Sequence, residues 1–234
     1  MASTVTQPPA PFLAFDTSGP TARVALVSPA GDILHAAEKV SDRHSGTLLP
    51  LCHDLIQKAG LTVAGLSAVA CGAGPGSFTG LRVGLAVAKG MALACDLPLL
   101  LVPSLRALAL DLAEQPGQQL LAPTIDAGKG EVYVQLFRRP AHGTTLEALT
   151  PELRTTAAAF AEQLRSENHD VLLGGTGADR HRANWQQLLG AGAVLPDFPG
   201  PSARAIGQLA LIRLARGERD DLDAAVPVYG RPPD

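Results

Sequence analysis

The chain of 234 residues carries a formal net charge of −3, with 46% apolar and 18% charged residues. That balance excludes an intrinsically disordered protein, and a chain of this length buries enough surface to fold without disulfides or a structural metal. The acidic charge and the scarcity of aromatics (six Phe, two Tyr, one Trp) argue against a basic stacking platform for nucleic acid.

Residues 1–11 open with MASTVTQPPA, which has neither a basic n-region nor an apolar core, and they read as a short disordered arm rather than a signal peptide. Residues 12–16 (FLAFD) and 22–28 read as strands joined by a turn at 17–21. A turn at 29–32 leads to a third strand over 33–38. Leu48, Leu51, Cys52, Leu55, Ile56 and Ala59 recur at spacings of three and four and predict a helix over 45–59. A strand follows at 66–71, then a glycine-rich loop at 72–78, then a long apolar helix at 79–94. The stretch 83–102 contains Lys89, Asp96 and Pro98 and falls short of a membrane span. Three cysteines (Cys52, Cys71, Cys95) without a C-x-x-C spacing fit a reduced chain with core-filling thiols. A cytoplasmic protein with no membrane partner is the expectation.

Strand 98–102 and helix 104–114 come next, and then the opening pattern returns. Residues 121–126 (LAPTID) end in Asp126 as 12–16 end in Asp16, with a turn at 127–130 and a return strand over 131–138. Helix 156–166, strand 170–173, a loop at 174–177, helix 180–190 and helix 203–216 complete the reading. The repeat predicts two related lobes, 12–115 and 116–225, with a cleft between them and an extended tail at 226–234.

The glycine loop matches neither a P-loop, since Thr79-Gly80-Leu81 has no lysine, nor G-x-G-x-x-G, where Ser77 or Thr79 stands at the third position. Two readings stay open for it: an anion cradle at a helix start, or a tight turn with Ser77 or Thr79 as helix cap. In the following helix, Gly80, Gly84, Ala88 and Ala92 form a stripe with little side-chain bulk. Each interior glycine there costs roughly 1 kcal/mol against Ala, which implies close approach of another backbone. That backbone is either the chain's own sheet or a partner subunit, with helix 45–59 as the neighbour in a shared bundle.

Three segments then carry a family resemblance: Leu13-Ala14-Phe15-Asp16-Thr17-Ser18, the run Gly74-Pro75-Gly76-Ser77-Phe78-Thr79-Gly80-Leu81-Arg82-Val83-Gly84, and Ile125 to Tyr133. Together with Gly174-Gly175-Thr176-Gly177 and Pro227-Val228-Tyr229, they resemble the bacterial TsaB (YeaZ) family over about 12–230. The resemblance implies an α/β, actin-like and Hsp70-like (ASKHA) two-lobe fold. It further implies a non-catalytic scaffold that binds a TsaD-type catalytic subunit. That complex makes N6-threonylcarbamoyladenosine at position 37 of tRNAs reading codons that begin with A. A TsaE-type ATPase joins, tRNA is met only through the complex, and the chain alone forms a homodimer.

The expected partner interface is His44, Leu48, Leu51, Cys52, Leu55, Gly80, Arg82, Gly84, Ala88 and Ala92. A degenerate nucleotide site is expected at Asp16, Thr17, Asp126 and Gly128, with no catalytic residue, metal or cofactor. Where the catalytic relative holds a metal through H-x-x-x-H, this sequence has Ser104 and Leu108, and neither replaces imidazole. Two other readings remain beside the scaffold. One is an ATP-binding kinase or carbamoyl-type transferase of the same fold, and the other is a tRNA contact through Arg138, Arg139, Arg180 and Arg182.

Overall fold

The structure is a computed structural model that describes residues 10–40, 44–139, 145–167, 170–194 and 197–228. Most of the arm expected at 1–11 and of the tail at 226–234 lies outside the described residues. The first lobe opens with the antiparallel meander β1 (Phe12–Asp16), β2 (Thr21–Val27) and β3 (Ile33–Val40). It continues through α1 (Leu48–Lys58), β4 (Val69–Gly74), α2 (Phe78–Cys95), β5 (Leu99–Pro103) and α3 (Ser104–Ala113). The second lobe holds β6 (Leu120–Gly128), β7 (Glu131–Val134), β8 (Phe137–Arg138), β9 (Glu147–Ala148), β10 (Leu153–Thr156) and α4 (Ala157–Ser166). After these come β11 (Val171–Gly174), α5 (Thr176–Arg180), α6 (Arg182–Leu189) and α7 (Ala203–Ala215).

The duplication read from the sequence is present in the strand order. The first sheet runs β3-β2-β1-β4-β5, with β1 antiparallel to β2 and parallel to β4. In the second, β10-β7-β6 repeats β3-β2-β1, and β11 lies parallel to β6 as β4 lies to β1. This is the α/β, actin-like two-lobe architecture. The return strand expected over 131–138 is interrupted, because Thr150 inserts there: its hydroxyl accepts from Leu136 N (3.0 Å) and its carbonyl from Gln135 Nε2 (2.8 Å). The loop expected at 174–177 instead starts α5 at Thr176.

Alternation along β1 divides the first lobe's core. Leu13 and Phe15 face α1 and α2, while Phe12 and Ala14 face α3 and α7. The last helix corrects the lobe boundary drawn at 116–225. Ala205, Ile206, Leu209 and Ala210 of α7 pack on the first sheet, and Val228 donates from its amide to Ala73 O (2.8 Å). Residues 203–228 therefore belong physically to the first lobe. Asp111 of α3 anchors this return by accepting from both the amide and the hydroxyl of Ser202, each at 2.7 Å, and Ser202 in turn caps α7. Burial pushes the Asp111 carboxyl up to about 6 despite those bonds.

Candidate docking face and interlobe cleft

Asp16 ends β1 and is fully buried. One carboxylate oxygen accepts from the amide (2.8 Å) and hydroxyl (2.6 Å) of Ser18, and the other from the hydroxyl of Ser104 (2.9 Å). Burial raises its pKa, and the bonds from Ser18 and Ser104 oppose that rise. Room for the carboxylate comes from Gly72, where a Cβ would stand 1.9 Å from Asp16 Oδ2. Thr17 is buried as well, and its hydroxyl donates to Gly80 O (2.8 Å). Two of the four residues expected at a nucleotide site are thus committed to holding the first turn together.

The glycine loop is committed in the same way. Gly74 N donates to Ser104 Oγ (3.2 Å), Ser77 N to Ser18 O (2.8 Å) and Gly80 N to Ser77 Oγ (3.2 Å). Ser77 is the cap of α2, so the tight-turn reading describes the loop. The loop also starts later than expected, because β4 continues to Gly74 by pairing with β5.

Between the lobes lies a cleft of about 460 Å³ lined by Ser18, His44, Ser77, Thr79, Asp126, Thr176 and Arg180 among others. Asp126 occupies in the second lobe the place Asp16 holds in the first, in a wetter setting. Its Oδ1 accepts from Gly128 N (3.1 Å) and its Oδ2 pairs with Arg180 Nη1 (3.2 Å). The expected nucleotide set is therefore split: Asp126 lines the cleft beside Gly128, while Asp16 and Thr17 are sealed behind it.

The expected interface needs a larger correction. Gly80, Gly84, Ala88 and Ala92 are buried within the chain. A Cβ on Gly80 would stand 2.1 Å from Thr17 O, and one on Gly84 2.4 Å from Thr17 Oγ1. The close approach is to the chain's own β1–β2 turn and sheet. Leu48, Cys52 and Leu55 of α1 are buried in the same core, and Leu51 packs against it half-buried. His44 is buried in the cleft wall beside Gly80, with Nε2 donating to Gly19 O at 2.9 Å; a carbonyl only accepts, so the proton sits on that nitrogen. Of the ten residues expected at the interface, Arg82 alone is exposed.

The outward face of α2 is largely apolar, broken by Thr79, Arg82 and the half-buried Lys89. Phe78 is 53% exposed and Leu93 78%, and the Arg82 guanidinium lies 3.8 Å over the Phe78 ring. Between them Ala86, Gly90 and Ala94 form a second small-residue stripe, exposed rather than buried. On α1, Leu49 is 52% exposed and lines a groove shared with Met91 of α2. The sequence reading of a long apolar helix already held the signal for this second face: the 18 residues of α2 average a hydropathy of 1.3, long and apolar enough to span a membrane by length and composition. The helix buries one face in the chain's own core and leaves apolar side chains of the other exposed.

Residues 36–172 match the family model described as TsaD, tRNA N6-adenosine threonylcarbamoyltransferase. The chain is 30% identical over 224 residues to the tRNA threonylcarbamoyladenosine biosynthesis protein TsaB of Bacillus subtilis, covering 94% of this chain and 93% of that one. It is 32% identical over 231 residues to TsaB of Escherichia coli, covering 94% of each. The solved structure of YeaZ from Pseudomonas aeruginosa superimposes with a TM-score of 0.75 at 30% identity, over 94% of this chain and 99% of that one. The chain belongs to the TsaB (YeaZ) family. In this TsaB family member Ser104 and Leu108, the two positions set against an H-x-x-x-H pair in the sequence reading, are part of the core. Ser104 is fully buried between Asp16 and Gly74 N, and Leu108 packs with Leu105, Ile125 and Tyr133.

Proposed function

We propose that this chain is a non-catalytic partner subunit in the biosynthesis of tRNA threonylcarbamoyladenosine. It docks a TsaD-type catalytic subunit through the outward face of α2 and the adjoining surface of α1. The observation that carries this reading is Gly90. It costs the helix roughly 1 kcal/mol against Ala, yet a Cβ there would meet nothing within 4 Å. The chain's own packing gives no reason for it. A second helix lying across Ala86, Gly90 and Ala94 does, with Phe78 and Leu93 as flanking apolar anchors. The absence of chemistry in this subunit is supported by Ser104 and Leu108 at the metal-ligand positions and by Asp16, whose oxygens are taken up by Ser18 and Ser104.

The same face closes against a second copy when the catalytic subunit is absent, which accounts for a homodimer of the isolated chain. A TsaE-type ATPase and tRNA then engage the assembled cytoplasmic complex rather than this chain alone. The test is binding of the TsaD-type subunit from the same cell to the wild-type chain and to Gly90→Arg. The variant side chain projects into open space, so the melting temperature stays within a few degrees and affinity falls at least tenfold. A folded Gly90→Arg chain that binds at wild-type strength refutes the docking face.

A further inference from the structure

On the side of the first sheet opposite α1 and α2, a second cavity of about 450 Å³ opens between β5, α3 and α7. Leu101, Leu209 and Ile212 give it apolar wall, three guanidinium groups line it (Arg106, Arg213 and Arg216), and the Glu218 carboxylate lines it beside Arg213. These three are not equivalent. Arg213 is spent on the fold, with both terminal nitrogens on the Asp220 carboxylate (2.9 and 3.2 Å), Nε on Glu218 (2.9 Å) and Nη1 also on Leu101 O (3.0 Å). Arg216 follows the last turn of α7, where a cation is favoured by the helix dipole, and its contact with Glu218 is long at 3.7 Å.

Arg106 has no carboxylate partner among the described residues. It is half-buried on α3, and its hydrogen bond among the described residues runs from Nη2 to a carbonyl, Leu146 O (2.8 Å). Elsewhere the arginines are commonly matched to carboxylates, as in Arg23 with Glu38, Arg154 with Glu131 and Arg182 with Asp179. Holding a guanidinium partly out of water without a counter-charge is unfavourable, and here the cost is borne beside a cavity of ligand size with one apolar wall.

We propose that this cavity binds a small phosphomonoester with an apolar body. Phosphate offers three acceptor oxygens in a geometry that guanidinium forks match. It bridges Arg106 from α3 and Arg216 from α7, while the ester group lies against Leu209 and Ile212. The proposal is independent of the docking face on α2.

The test titrates the full chain with phenyl phosphate by calorimetry, with inorganic phosphate, phenol and unmodified tRNA as separate arms. Phenyl phosphate is expected to bind at one site and more tightly than inorganic phosphate, with no heat from phenol. Arg106→Gln weakens it at least tenfold, and Arg216→Gln, an exposed position that leaves the fold intact, at least threefold. The docking variant Gly90→Arg binds it as the wild type does. Absence of phenyl phosphate binding at millimolar concentration, or equal binding by wild type and both arginine variants, overturns the proposal. So does an Arg106-dependent signal seen with tRNA but not with phenyl phosphate, which would assign the cavity to a nucleic-acid backbone.

Discussion

The hydroxyl of Thr17 donates to the carbonyl oxygen of Gly80 across 2.8 Å, so the turn after β1 is fastened to the first turn of α2. One helical turn on, Gly84 faces the same threonine, and a Cβ there would lie 2.4 Å from Thr17 Oγ1. Two glycines on one helix thus serve one neighbour.

Gly84→Ala is therefore expected to destabilise the chain by about 1–3 kcal/mol through overpacking, outweighing the roughly 1 kcal/mol that Ala gains in a helix. Thermal unfolding reads this as a melting temperature several degrees lower, with partner affinity of the folded fraction unchanged. A Gly84→Ala chain that melts like the wild type and loses its partner would return the inner stripe to the interface.

Asp111 makes a pH prediction. Its carboxyl titrates near 6 in the folded chain against 3.8 ordinarily, chiefly because it is buried. The folded state then holds a proton that the unfolded state has released, so this group's contribution is most favourable below about 4. It is lost as pH rises through 6. The stability difference between wild type and Asp111→Asn, measured by urea unfolding from pH 4 to 8, should move against the wild type up to about pH 6 and then level off. A difference flat across that range would show that Asp111 ionises normally.

The thiols should separate by accessibility. Cys52 and Cys71 are buried, and burial pushes the Cys52 thiol up to about 12 and the Cys71 thiol higher still. Cys95, half-exposed at the end of α2, is expected to react with an aromatic disulfide reagent in the native chain, and the other two only after denaturation. Rapid modification of more than one thiol under native conditions would mean that the α1–α2 core opens readily.

Much of the fold was legible because its signals are local. Ser77 and Thr79 were the two cap candidates for α2, of which Ser77 is the cap, and the paired strand–Asp–turn–strand units announced two lobes. Which face of α2 is buried was not legible, since Gly80-Gly84-Ala88-Ala92 and Ala86-Gly90-Ala94 share the same four-residue spacing. Only the position of Thr17, more than sixty residues earlier, decides between them. The fates of Asp16 and Asp126 diverged for the same reason: the partner of one is Ser104, 88 residues away, and of the other Arg180, 54 residues away. The return of α7 to the first sheet left no trace in its own pattern, because an apolar helix face does not name the surface it will cover.

That return has a consequence during synthesis. The first sheet to leave the ribosome has one side clothed by α1 and α2, while its other side waits for α7, which follows α3 only after the whole second lobe. Until α7 is translated, Phe12, Ala14, Ala25 and Val27 lack one of the helices that bury them. The nascent first half is thus a sticky intermediate, and splitting the gene at the midpoint would yield two fragments that need each other to stay in solution.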